Sequence, residues 1–277
     1  MPPMRSCGLG WRADVALRAS DGEARVLAAL STSVYVESGD ELLWIGAPDG
    51  MSHARAIHVD EASACAASVK PGDCLRLPKS NGLSPWRPLD IPATAATAGT
   101  MRDGAARLSA LAKALGEPRG FGAWLLGMPL AFPLDGAGAR ADALAAACVA
   151  DDPARAADAA TALVGLGPGL TPAGDDFSGG AFFARALLAR AGVIDAGAWG
   201  VAASDVRTAA TRLTHRIGAA LLGDLLAGEG WAPLHDLAAG LARGDDSIAL
   251  DAAGQLVRLG HSSGWDLLAG FVAGARA

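Results

Sequence analysis

Between about Val15 and Leu89 apolar residues alternate with polar ones or gather in short runs, the spacing of strands. Ser33-Val-Tyr-Val-Glu37, the turn Ser38-Gly39-Asp40 and Glu41-Leu-Leu-Trp-Ile45 predict a hairpin. Ala54 to Val59 and Asp73 to Leu77 add two more strands, and Pro48-Asp-Gly50, Pro71-Gly72 and Asn81-Gly82 punctuate them as turns. A small antiparallel sheet or barrel is expected. Ile91 to Thr100, rich in Ala, Thr and Pro, has no period and reads as a junction.

Beyond the junction the spacing changes to that of helices. Ala105–Leu115, Arg140–Val149, Ala154–Val164, Phe177–Ala191, Ser204–Ala227, Pro233–Ala242 and Ile248–Leu259 repeat apolar residues at 3.6-type intervals, and Gly116, Gly192, Gly228 and Gly260 end them. The expected fold is α+β, with a β-rich domain over residues 1–98 and a helical domain over residues 99–277.

Composition narrows the function classes. With 277 residues, 51% of them hydrophobic, the chain can bury a full core. A net charge of −6 and the lack of any basic run give nothing to attract a nucleic-acid backbone. The strongest apolar run, Phe121 to Leu134, is broken by Pro129 and Pro133, and the first twenty residues lack the apolar stretch of a signal peptide, so no membrane partner is expected. Cys7, Cys65, Cys74 and Cys148 match neither a metal knuckle nor a disulfide framework, and reduced thiols in the cytoplasm are expected.

The chemistry concentrates at Leu163-Val-Gly-Leu-Gly-Pro-Gly-Leu-Thr-Pro-Ala-Gly-Asp-Asp176, where four glycines and two prolines separate two helical patterns. Gly165, Gly167 and Gly169 can turn successive N–H groups towards an anion. Thr171 reads as an N-cap followed by Pro172 at the first helical position, which aims a helix N-terminus at the same place. A second segment, Leu256-Val-Arg-Leu-Gly260 followed by His261-Ser-Ser-Gly-Trp-Asp266, aligns with the first if Pro168, Gly169 and Leu170 are extra. Gly174 then meets Gly264, Asp176 meets Asp266 and Gly180 meets Gly270.

If the repeat is structural, two helix N-termini converge on one pocket, with loop amides for an anionic substrate and Asp176 and Asp266 for a proton, an amino group or a cation, while Asp175, about 100° round the helix from Asp176, serves a different job. The plainer alternative is that aspartates in a first helical turn stabilise the helix dipole by about 0.3–1 kcal/mol and need no ligand. Thr208, Thr211, Arg212 and His215 fall on one stripe of the Ser204–Ala227 pattern, such a stripe faces either a pocket or water, and His215 is either a catalytic general base or a solvated histidine. His261 and Ser262 are either site residues or part of a cap. No Walker A, HExxH or GxSxG signature is present, and Gly165-Leu-Gly-Pro-Gly follows a helical pattern, which excludes a Rossmann fingerprint.

Gly167-Pro-Gly-Leu-Thr-Pro-Ala-Gly-Asp-Asp176 and Gly260-His-Ser-Ser-Gly-Trp-Asp266 resemble a bacterial family of uncharacterised domains, AllH-like, that includes one subunit of the oxamate carbamoyltransferase of allantoin fermentation. The likeness also takes in the strand-rich start, Ser84-Pro-Trp-Arg-Pro88 and Thr211-x-x-Thr214-His215. It implies transfer of a carbamoyl group between carbamoyl phosphate and oxamate or oxalurate, alongside companion subunits of which one is similar to acyl-CoA synthetases. The Ser-Thr-x-Arg-Thr phosphate loop of classical carbamoyltransferases is missing, so the phosphate site must be built differently. On this reading Gly167, Gly169 and Thr171 hold the anion, Asp175 or Asp176 orients a cation or amide, and Thr211, His215, Ser263 and Asp266 complete the pocket. Two other readings stand beside it: a non-catalytic assembly or regulatory subunit whose loop docks a partner, and a magnesium-dependent enzyme acting on a small phosphorylated metabolite. The resemblance supplies no dedicated metal ligands.

Overall fold

The computed structural model describes residues 4–80 and 82–276, and Asn81 of the expected Asn81-Gly82 turn lies outside them. The chain divides into two compact units, Met1–Pro88 and Leu89–Ala277.

The first unit is built on a six-stranded sheet: β1 (Ser6–Leu9), β2 (Glu23–Ala29), β3 (Val34–Ser38), β4 (Glu41–Gly46), β5 (Ala56–Val59) and β6 (Cys74–Arg76), in spatial order β1-β5-β4-β3-β2-β6. The expected hairpin is present as β3 and β4, with Val36 opposite Leu43. Two features differ from the sequence expectation. The sheet is mixed, because β5 returns parallel to β4, and it is an open ribbon with β1 and β6 at its edges. Two short helices, α1 (Trp11–Ala19) and α2 (Ala62–Ser68), interrupt the strand-rich segment. Their Ala13, Ala16, Ala62 and Cys65 join Val26, Val36, Leu43, Ile45 and Ile57 in one core. Alanine at those positions lets short helices lie close against β-branched strand residues, and it also erases the bulky periodicity that would announce them.

Trp86 and Arg87 belong to this packing. Trp86 N–H donates to Leu9 O at 2.6 Å, its carbonyl accepts from Trp11 N at 3.2 Å, and the Arg87 guanidinium sits 5.2 Å from the Trp11 ring centroid.

The second unit is helical: α3 (Ala95–Leu111), α4 (Phe121–Leu125), α5 (Gly138–Val149), α6 (Pro153–Thr161), α7 (Ala173–Arg190), α8 (Ala196–Leu213), α9 (Arg216–Leu226), α10 (Ala232–Ala242), α11 (Asp246–Leu256) and α12 (Ser263–Ala275). Helix α3 begins inside the stretch read as a junction, because Thr94 and Thr97 form a capping box there. Asp152, Asp195 and Asp245 cap α6, α8 and α11 more simply, each side chain accepting from a backbone N–H of the first turn.

At the centre lie α7 and α12, buried along nearly their whole lengths. A Cβ on Gly270 would meet Phe177 O at 2.0 Å and one on Gly274 would meet Ala181 O at 2.1 Å, so both helices advance in the same direction with their backbones touching. The contact is reciprocal, since a Cβ on Gly180 would meet Leu267 O at 2.4 Å. In the aligned repeat Gly180 corresponds to Gly270 and Phe177 to Leu267, so the two segments pack as quasi-twofold mates. Small residues at these positions allow the backbone approach, which a larger side chain would block. No helix among the described residues is long and apolar enough to cross a membrane.

Candidate functional site

The parallel packing brings the N-termini of α7 and α12 to the same end of the unit. Asp176 is the fourth residue of α7 and Asp266 the fourth of α12. The turn before each helix is braced alike: a Cβ on Gly174 would meet Leu163 O at 1.9 Å, and one on Gly264 would meet Leu256 O at 1.8 Å. Glycine is required at both places because the preceding helix ends directly against the new one.

The loop before α7 holds Gly165, Gly167 and Gly169 at φ of 79°, 110° and 96°, the left-handed region in which a side chain is strained. Pro168 and Gly169 are exposed. The N–H groups of Gly167, Gly169 and Thr171 take no intramolecular acceptor among the described residues. Pro172, not Thr171, occupies the N-cap position, and no side chain caps α7. Thr171 instead turns its hydroxyl to that of Ser263, 2.8 Å away, which joins the two segments.

The two adjacent aspartates have separate surroundings. Asp175 Oδ1 accepts from Gly165 N at 2.6 Å and its Oδ2 accepts from Thr214 Oγ1 at 2.7 Å, so this carboxylate ties the loop to the turn between α8 and α9. Burial raises its pKa, while those two bonds and His215 oppose the rise. Asp176, only 5% exposed, leaves Oδ2 buried without a partner. Its pKa stands well above the usual carboxylate range because it is desolvated and faces the Asp266 charge, with the Thr171 and Ser263 hydroxyls acting in the opposite direction.

Asp266 is the mirror of this arrangement. Its Oδ1 accepts from Phe121 N at 2.6 Å, and its Oδ2 is buried and unpartnered. Burial lifts its pKa to about 7, opposed by the Phe121 N–H and the Ser262 hydroxyl. Gly120, at φ 51°, makes room for it, since a Cβ there would sit 2.1 Å from Oδ1. Two desolvated carboxyls thus stand together, each with one free oxygen and each holding its proton more tightly than in water.

The Ser204–Ala227 stretch is two helices rather than one. It breaks at Thr214, and His215 caps α9 by accepting from Gly218 N on Nδ1 at 3.3 Å. The other ring nitrogen, Nε2, lies 3.1 Å from Gly169 O, which makes it the donor and fixes the tautomer. His215 therefore props the glycine loop. Thr211 donates its hydroxyl to Thr208 O within α8, and no hydrogen bond joins it to the cluster among the described residues. His261 lends its backbone carbonyl to Arg119 Nη1 at 3.1 Å. Gly120 and Phe121, which support Asp266, carry no signal in the sequence because their partner is remote along the chain, whereas Thr214, which supports Asp175, lies in the Thr211-x-x-Thr214-His215 segment of the resemblance. No group of three or more His, Cys, Asp or Glu side chains among the described residues is placed to hold a metal ion.

Residues 163–275 match the family described as oxamate carbamoyltransferase subunit AllH. This is the family that the two glycine-aspartate segments resemble, and both segments lie inside the match. The AllH match thus takes in α7 and α12, the hydroxyl pair Thr171 and Ser263, and the carboxyl pair Asp176 and Asp266. Phe121, which donates to Asp266, lies before it. No curated protein and no solved structure matches the chain.

Proposed function

We propose that this chain is a subunit of an oxamate carbamoyltransferase, working in the cytoplasm with companion subunits, one of them similar to acyl-CoA synthetases. The observation that carries the reading is the meeting of two quasi-equivalent helix N-termini, with a linked hydroxyl pair in front of two unpartnered carboxyl oxygens. In this reading the N–H groups between Gly167 and Thr171 hold the phosphate of carbamoyl phosphate, aided by the positive end of α7. Thr171 and Ser263, half-buried, reach the carbamoyl or oxamate oxygens, and the carboxyl pair behind them takes up and returns a proton.

The reaction needs those parts. The amide nitrogen of oxamate attacks the carbamoyl carbon and loses a proton, the carbon–oxygen bond to phosphate breaks, and inorganic phosphate leaves with oxalurate formed. Asp176 and Asp266, whose proton affinities burial raises, suit that proton. Donors fixed on the phosphate stabilise the charge that develops on it, an effect worth several kcal/mol in a dry site. His215 and Asp175 act as positioning residues, since each ties the loop to the start of α9. Magnesium is not required by any of these steps, and an ion bound to the phosphate would come with the substrate.

The scaffold reading, in which the loop docks a companion subunit, draws on a specific observation: both oxygens of Asp175 are spent within the chain, so the loop is self-supporting. The experiment that separates the two is a carbamoyl-transfer assay on the assembled enzyme carrying Thr171→Val or Asp176→Asn. Assembly retained with activity reduced at least a hundredfold supports a substrate site here. Full activity in both variants would sink it.

A further inference from the structure

In the carbamoyl-transfer reading two anions meet beside two carboxyl groups, and a fixed cation stands at the edge of that site. Arg119 begins the turn into α4: its carbonyl accepts from Gly122 N at 2.8 Å, and Phe121, two residues on, donates its N–H to Asp266 Oδ1. The same turn touches the start of α12 a second time, because Arg119 Nη1 donates to His261 O at 3.1 Å. His261 lies in the tight turn from Gly260 to Ser263, where Gly260 stands at φ 59° and a Cβ on it would sit 3.3 Å from Ser263 Oγ. The guanidinium is therefore attached to the same short turn that carries the hydroxyl paired with Thr171.

The rest of Arg119 is unspent. The residue is exposed, and among the described residues it pairs with no carboxylate and its Nε and Nη2 have no acceptor. A carbonyl fixes the guanidinium without neutralising it, and leaves open the Nε–Nη2 edge, which can grip a carboxylate with two parallel hydrogen bonds. Helix stability does not account for the residue. Arg140 makes a comparable bond to Ala162 O, but Ala162 ends α6, where a cation favours the helix dipole. Arg119 is bound just ahead of α12, at the positive end, where its charge opposes the dipole. An anion held there satisfies both the guanidinium and the helix terminus.

We propose that Arg119 determines specificity by holding the carboxylate of the acceptor, a short acid whose amide nitrogen receives the carbamoyl group. The assignment rests on the carbamoyl-transfer reading and adds to it the group that reads the far end of the acceptor. With the carboxylate on Arg119, the amide lies towards Ser263 and Thr171 and the carboxyl pair behind them, while the phosphate keeps to the glycine loop before α7. Arg119 neutralises the one acceptor charge that would otherwise stand unpaired beside Asp176 and Asp266. An acceptor with a neutral group in that place leaves the guanidinium without its partner and is rejected.

Steady-state carbamoyl transfer by the assembled enzyme tests it, with oxamate and its neutral analogue oxamide as acceptors. The wild type is expected to prefer oxamate. Arg119→Gln keeps a donor for His261 O and removes the charge, whereas Arg119→Lys keeps the charge without the two-pronged edge. In Arg119→Gln the KM for oxamate should rise about tenfold or more, with the KM for carbamoyl phosphate and the melting temperature little changed. Arg119→Lys should recover part of that loss, and the preference for oxamate over oxamide should shrink as the charge is removed. Equal use of oxamide by the wild type, an unchanged oxamate KM in Arg119→Gln, or a rise shared equally by carbamoyl phosphate would overturn the proposal, the last by making Arg119 a brace for the α12 turn. Calorimetric titration of the wild type with carbamoyl phosphate separates the two levels. With that binding intact, those results remove the Arg119 assignment alone; without it, in the chain and in its complex, the transfer reading falls and takes the assignment with it.

Discussion

Asp176 and Asp266 occupy the same position, fourth from the start, on two parallel helices that touch backbone to backbone, and each leaves its Oδ2 buried without a partner. Both carboxylates were carried into the interior by glycines rather than by cations. Gly174, Gly264 and Gly270 let the backbones close, and no arginine or lysine pairs with either acid among the described residues. Desolvation therefore has no counter-charge to offset it, and both acids hold their protons more tightly than in water.

That proton affinity has a consequence for stability. The native chain keeps the Asp266 proton up to about pH 7, whereas the unfolded chain releases it near the usual carboxylate value of 3.8. Between those values the folded state binds the extra proton, so stability falls as pH rises from about 4 to about 7, by roughly 4 kcal/mol for this group. Asp266→Asn keeps an oxygen for Phe121 N–H and cannot ionise. Denaturant melts at pH 5 and pH 8 should show a smaller loss on raising the pH in this variant than in the wild type.

Helix packing is equally open to test. A Cβ on Gly270 would sit 2.0 Å from Phe177 O, so Gly270→Ala must push α7 and α12 apart and is expected to cost about 3 kcal/mol. Gly254, inside α11, has only Leu115 Cδ2 at 4.0 Å from the same kind of Cβ, so Gly254→Ala should stabilise by about 0.5–1 kcal/mol. Urea unfolding of both variants reads the contrast directly.

The repeat behind this packing was legible in the sequence because its carriers are glycine and aspartate, whose offsets stay fixed. The β3–β4 hairpin was legible for a similar reason, with alternation on both sides of Ser38-Gly39-Asp40. The break at Thr214 was not. The chain there reads Leu-Thr-His-Arg-Ile without glycine or proline, and the helix ends because Thr214 Oγ1 and His215 are drawn to Asp175 and the glycine loop, a tertiary pull that overrides local propensity. Helices α1 and α2 were hidden by alanine, and the Gly120–Phe121 turn that holds Asp266 lies 145 residues from its partner.

Asp151 sits at φ 49° and supplies the carboxylate that Arg185 and Trp199 share. Asp151→Asn retains the tolerance for that backbone and an oxygen for Trp199, and removes only the charge. A loss of about 2 kcal/mol is expected, below the 3–5 kcal/mol of a fully buried pair because the aspartate side chain is half-exposed to water. Thermal unfolding at neutral pH measures it.

The cysteines divide by exposure. Cys7 and Cys74 are exposed, while Cys65 and Cys148 are buried with thiols whose pKa burial raises. Alkylation with iodoacetamide at pH 8 should label the first two in the native chain and all four only after unfolding, which peptide mass mapping resolves.

The central claim is that the glycine loop and the hydroxyl pair bind the anionic substrate on this chain. Isothermal titration of the purified chain with carbamoyl phosphate, comparing the wild type with Thr171→Val and Ser263→Ala, tests it most directly. The account expects saturable binding by the wild type, weakened about tenfold or more in each variant whose melting temperature stays within a few degrees of the wild type. Equal affinity in all three chains would contradict it, as would the absence of binding to the wild type both alone and in its assembled complex.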